Sequence, residues 1–171
     1  GGDVYLEVIA INPEAPAPSR PRWFSLDDPF IRARLNREPT LLTWVINTPD
    51  VAKLLRATPF PFGSPEPMHR GELRWLFTLL PDGHLPAAGF LPTIIEWQTQ
   101  PHPSGRMADP GCRLTCLTIH HPQLEWLGNI LTAIGAARLV TLQPLPPQAG
   151  PYFTAEFKTP GGDVQIFSNL R

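Results

Sequence analysis

Apolar and polar positions alternate along several short stretches of this chain, and the period of each stretch predicts an element. Over residues 3–11, Val4, Leu6 and Val8 share one face while Tyr5, Glu7 and Ile9 share the other, which predicts a strand. Asp28-Pro29 carries the chemistry of a helix start, with the aspartate as cap and proline in the first turn, and predicts a short helix over 29–36. Residues 40–47, TLLTWVIN, read as a buried strand. Thr48-Pro49-Asp50 then opens a helix to about Ala57 with Val51, Leu54 and Leu55 on its apolar side. Strands follow over 72–80, where Leu73, Trp75, Phe77 and Leu79 alternate with Arg74, Leu76 and Thr78, and over 92–99, where Ile94, Glu96 and Gln98 share a face. The same grammar then recurs. It predicts a strand over 113–120 and a helix over 123–134, with Leu124, Leu127, Leu131 and Ile134 on one stripe and Gly135 as its stop. A strand over 138–143 and a hairpin of 152–158 with 164–168 complete the second round.

The pattern is that of an α+β protein built from βαβββ modules, with mixed curved sheets and helices on their outer faces. One helix covers only one face of each sheet, so the other face needs a second unit or a ligand to close it, and paired units leave a cleft. Composition sharpens the boundaries. The 23 prolines concentrate in 13–21, 59–67, 101–110 and 144–151, and proline removes a ladder donor, so these stretches are predicted to be connections.

The chain has 171 residues, 42% of them hydrophobic, enough for a packed core; 17% are charged and the formal net charge is −1. That balance gives no electrostatic reason to expect nucleic acid or an anionic membrane as partner. No run of about 18 apolar residues exists to span a bilayer, and no signal peptide is visible. Cys112 and Cys116, placed on one strand, have Cα atoms roughly 13 Å apart. A disulfide needs less than about 7 Å, so free thiols are expected, and these fit a cytoplasmic location.

The stretches GGDVYLEVIAIN and PRWFSLDDP resemble the end of the first module of glyoxalase-like proteins of the vicinal oxygen chelate superfamily, in which a Tyr-Leu-Glu strand precedes a proline-rich connection. TLLTWVINT, MHRGELRWLFTLLPDG and LPTIIEWQT resemble its second module, so the likeness covers about residues 1–99, with 113–168 as an added third module of weaker wording. It implies three units: 1–39, the C-terminal strand of a truncated first module plus the proline-rich connection; 40–99, the second module; and 113–168, the third. The family's first strand, first helix, early histidine and Gly-Thr-His-Asn segment have no counterpart here. Residue 1 then falls inside the first module, and the strand 3–11 is expected to pair with module two or with another chain.

In metal-using relatives, first and last strands of paired modules hold a divalent cation. By position the resemblance makes Glu7 and Glu96 the metal and catalytic candidates, for Zn²⁺, Mn²⁺, Fe²⁺ or Ni²⁺. The first strand of module two offers no histidine, which leaves a chain without a metal of its own as the other outcome. Arg74 is a candidate clamp for a ligand carboxylate or phosphate, or else an ion-pair partner of Glu72, Glu96 or Glu7. His69 at the rim is a candidate proton shuttle. Trp44 and Tyr5 are ligand-binding candidates. His121 is expected to help cap the helix after Pro122. Trp23 and Phe24 are expected either to form a lid or to pack against the neighbouring module.

Two readings therefore stand open. One is a metal-dependent lyase, isomerase or dioxygenase. The other is a metal-free protein that binds or sequesters a small molecule, as resistance-type relatives do. Unpaired strand edges in the third module also invite a homodimer.

Overall fold

The computed structural model describes residues 4–168; Asp3, the first residue of the expected N-terminal strand, lies outside them. The elements in chain order are α1 (Pro29–Leu35), β1 (Val45–Asn47), α2 (Val51–Arg56), β2 (Ser64–Arg70), β3 (Leu73–Leu79), β4 (Thr93–Trp97), β5 (Arg113–His120), α3 (Leu124–Ala133), β6 (Thr141–Gln143), β7 (Tyr152–Thr159) and β8 (Gly162–Ser168). They form two four-stranded mixed sheets, so the molecule is α+β.

The helices start where their caps dictate. The Asp28 carboxylate accepts from the backbone N–H groups of Phe30 and Ile31 at 2.8 and 3.1 Å, opening α1 with Pro29 in its first turn. Asp50 accepts from Lys53 N–H at 2.8 Å and opens α2. Gly135, at φ 73°, takes the left-handed conformation that ends α3.

The first sheet has the order β1-β4-β3-β2, with β1 parallel to β4 and the other pairs antiparallel. The second has the order β6-β5-β7-β8, with β6 parallel to β5. Each sheet therefore carries one parallel edge pair followed by two antiparallel pairs, but the chain threads them differently. In the first sheet the opening strand β1 sits at an edge beside the last strand. In the second, the opening strand β5 is internal.

Two expectations need correction. The proline density predicts a loop over 59–67, yet Ser64–Arg70 is strand β2. It is an edge strand, and Pro65 and Pro67 fall on alternate positions opposite Thr78 and Leu76, so both can leave their donor-free nitrogens on the unpaired side. Gly63, at φ 89°, brings the chain into that edge so closely that a Cβ would collide with the Leu79 carbonyl. Conversely, residues 4–11 form no strand. Val4, Leu6 and Val8 are 64, 57 and 89% exposed, because no described edge supplies the ladder that an isolated extended segment needs.

One hydrophobic core joins the two sheets. Ile46, Val51 and Ile94 from the first half pack in the same cluster as Leu117, Ile119, Leu127, Leu131 and Phe153 from the second. Phe90 makes an edge contact with Phe153 (centroids 5.9 Å) and Phe60 one with Trp126 (5.9 Å), so aromatic side chains bridge the halves. Where a ladder ends in the interior, a hydroxyl takes over. Thr78 Oγ1 accepts from Ile94 N–H at 3.0 Å in the first sheet, and Ser168 Oγ accepts from Phe153 N–H at 2.8 Å in the second.

Candidate functional site

Strand alternation gives the first sheet two unlike faces. Ile46, Leu76, Ile94 and Glu96 share the face on which α2 packs. Trp75, Phe77, Leu79, Ile95 and Trp97 share the opposite face, with Met68 beside Trp75 on the neighbouring strand. One end of this second face is covered from the proline-rich connection. Trp23 and Phe24 both lie 5.9 Å from Phe77, centroid to centroid. That fits packing onto the module that follows, one of the two roles expected for them.

The other end stays accessible. Trp75 and Trp97 face each other across β3 and β4 with ring centroids 5.1 Å apart and are half-buried. The row continues through Trp97–His102 (5.9 Å, edge-on) to His102–Tyr5 (6.1 Å). His102 Nδ1 accepts from Ser104 N–H at 3.3 Å and meets the Ser104 hydroxyl at 2.8 Å. In the neutral ring this engagement leaves Nε2 to carry the proton. The Tyr5 phenol is pushed above its ordinary pKa, mainly by burial and further by the Glu7 charge, with the Arg70 charge acting in the opposite direction. Indole faces, a phenol and an imidazole at this spacing make a platform for a flat apolar molecule, with hydrogen-bonding groups at its rim.

The sequence candidates distribute unevenly around this platform. Tyr5 belongs to it. Glu96 does not: its Oε2 accepts from Val51 N–H at 2.8 Å, so the carboxylate caps α2 on the opposite face. Glu7 is exposed on the irregular N-terminal segment, two residues beyond Tyr5. Glu96 is thus committed to the α2 cap while Glu7 lies exposed on an irregular segment near the Tyr5 phenol, so as a donor set they do not fit one shared ion. Arg74 and His69 lie opposite each other across β3 and β2, both exposed, on the Glu96 side of the sheet. Arg74 is tied in through its backbone N–H, which donates to Thr99 Oγ1 at 2.8 Å; among the described residues its side chain makes no ion pair with Glu72, Glu96 or Glu7. Trp44 donates from Nε1 to the Phe90 carbonyl at 3.3 Å and packs on the main core. His121 accepts at Nδ1 from Gln123 N–H, the N-cap of α3, at 3.1 Å, in keeping with its expected capping role.

Sequence periodicity does not single out His102, which sits in a proline-rich connection. It assigns Trp75 and Trp97 to the core. The signal available in the sequence was two tryptophans at matching positions of consecutive strands, followed five residues later by a histidine between two prolines.

Among the described side chains, the matching face of the second sheet is polar. Cys116, Thr118 and His120 from β5 lie beside Thr141 of β6 and Tyr152 and Glu156 of β7. His120 stacks on Tyr152 with centroids 4.4 Å apart, and Gln165 Nε2 donates to Glu156 Oε1 at 3.0 Å. A shallow, open depression of about 470 Å³ lies at the β7–β8 hairpin, lined by Thr115, Glu156, Phe157, Lys158, Asp163, Val164 and Gln165, away from the tryptophan pair. Phe157 is its single aromatic side chain, set with Val164 among charged and polar groups, whereas the first sheet offers a pair of indoles, so the tryptophan face is the better candidate despite that volume.

A family model described as a glyoxalase-like domain matches residues 1–135. The chain belongs to the glyoxalase-like domain family of the vicinal oxygen chelate superfamily. The matched stretch contains the whole first sheet with its aromatic face and runs through α3, while β6, β7 and β8 lie beyond it. No curated protein matches the chain. No solved structure matches it either. Among the described residues, no helix is long and apolar enough to cross a membrane.

Proposed function

We propose that this glyoxalase-like domain binds a flat, largely apolar small molecule on the Trp75–Trp97 face, without needing a metal ion. The observation that carries the reading is the half-buried indole pair, 5.1 Å apart, on the face that α2 leaves free. Partial cover by Trp23 and Phe24 walls one end of the face, and His102 and Tyr5 border the other. A metal-dependent lyase, isomerase or dioxygenase is not favoured, because the Glu96 carboxylate is committed to the α2 cap and Glu7 lies on an exposed irregular segment. Free Cys112 and Cys116 agree with a reducing compartment such as the cytoplasm. Exposed Val4, Leu6 and Val8 agree with self-association, which sedimentation at increasing concentration tests.

Calorimetric titration with 2-naphthol tests binding. The expected result is saturable binding that is unchanged by a chelator and falls roughly tenfold in Trp97→Ala, the scale of one lost stacking partner. Unchanged affinity in both Trp75→Ala and Trp97→Ala would overturn the assignment, and loss of binding on chelation would return the metal to the site.

A further inference from the structure

We infer that the aromatic face selects ligands bearing an acidic group, an aryl carboxylate above all, and that Arg70 is the residue that anchors the acid. This rests on the binding reading above and names its ligand class.

The register of β2 places the anchor. Met68 lies opposite Trp75 and Arg70 opposite Leu73, so Met68 and Arg70 project on the tryptophan side of the sheet. His69, between them, projects with Arg74 on the α2 side. Arg70 thus stands two residues beyond Met68 on the same face, at the accessible end of the platform.

Two other arginines near this face are already matched. Arg20 pairs with Glu66, the next residue of β2 on the same side, at 3.6 Å. Arg22 pairs with Asp27 at 2.7 Å. Among the described residues Arg70 makes no ion pair. Its field reaches the Tyr5 hydroxyl at the platform rim, as does that of Glu7. A guanidinium offers a fork of donors to a carboxylate, and beside indole faces an aryl acid can stack and be clamped together. Glu7, on the exposed N-terminal segment, works against an anion from the same rim, so its removal has a predictable sign.

The test compares 2-naphthoate with neutral 2-naphthol by calorimetric titration at low salt and neutral pH. The wild-type chain is expected to bind the naphthoate about three- to tenfold more tightly, the scale of one partly exposed charge-assisted contact. Arg70→Gln should abolish that preference while keeping naphthol affinity, and Arg70→Lys should restore part of it. Arg74→Gln, on the opposite face, should change neither. Glu7→Gln should raise naphthoate affinity by about two- to threefold. Equal binding of the two compounds by the wild type, or a preference that survives Arg70→Gln, overturns the anchor while leaving the aromatic platform standing. Failure of both compounds to bind overturns the platform and the anchor with it.

Discussion

The two sheets share a construction and differ in chemistry. Each has one parallel edge pair and two antiparallel pairs, and each contributes one face to the common core. The free face of the first is aromatic, with Trp75, Trp97, Phe77 and Met68. That of the second carries Cys116, Thr118, His120 and Glu156. A fold of this kind needs only one apolar face per sheet, because burial of that face supplies the driving force. The opposite face is then free to carry chemistry. An apolar free face is costly to leave in water, and here the chain covers one end of it, at Phe77, with Trp23 and Phe24. A polar free face needs no cover. The residual exposure of the tryptophan pair is therefore the feature that needs a functional explanation.

The comparison can be broken most directly at the shared core. Phe153→Ala, in the second sheet, is expected to lower stability by about 3–5 kcal/mol. Denaturant unfolding followed by both fluorescence and circular dichroism should show one transition for the whole molecule; two separate transitions would mean that the halves do not share a core. Next comes Glu96, whose carboxylate meets the first N–H of α2. Glu96→Ala should cost about 1–2 kcal/mol and Glu7→Ala less than about 0.5 kcal/mol, measured by the same unfolding midpoints. Equal costs would mean that the two carboxylates act as a unit after all.

His121 gives a pH test of the seam between the halves. Its ring lies 5.0 Å from Phe90 and stacks at 6.5 Å on Trp126, and burial lowers its pKa below the usual histidine value. A depressed folded pKa means that the unfolded chain takes up the proton first. The stabilising contribution is therefore complete above about pH 6.5 and is lost as the pH falls through the lower folded value. The difference between wild type and His121→Gln in unfolding midpoint should shrink over that interval; a constant difference would place His121 in water. The smallest effect belongs to the polar face, where Gln165→Ala should shift stability by less than about 0.5 kcal/mol, read as a melting temperature.

Much of this architecture was legible in local chemistry. Asp28-Pro29 and Asp50 announce two helix starts, the leucine stripe of α3 announces its buried side, and the second sheet's strands follow from alternation bounded by turn residues. Strand β2 was not legible, because Pro65 and Pro67 read as breakers until an edge position makes their missing donors harmless. The segment 4–11 shows the converse, a strand-like pattern without a partner. The candidate site was legible only in part. Tyr5 and the tryptophans stand out as residues, but which face Glu96 joins depends on where α2 packs, and His102 becomes a rim residue only when the connection after β4 folds back.

Local sequence thus determined which segments extend, which coil and which side of each is greasy, since those properties arise from neighbours a few positions apart. Tertiary structure alone decided which of two equivalent faces meets a helix and which meets solvent. That choice separated Arg70 from His69 and Trp97 from Glu96, because adjacent residues on a strand point to opposite sides and only the packed partner gives those sides different meanings.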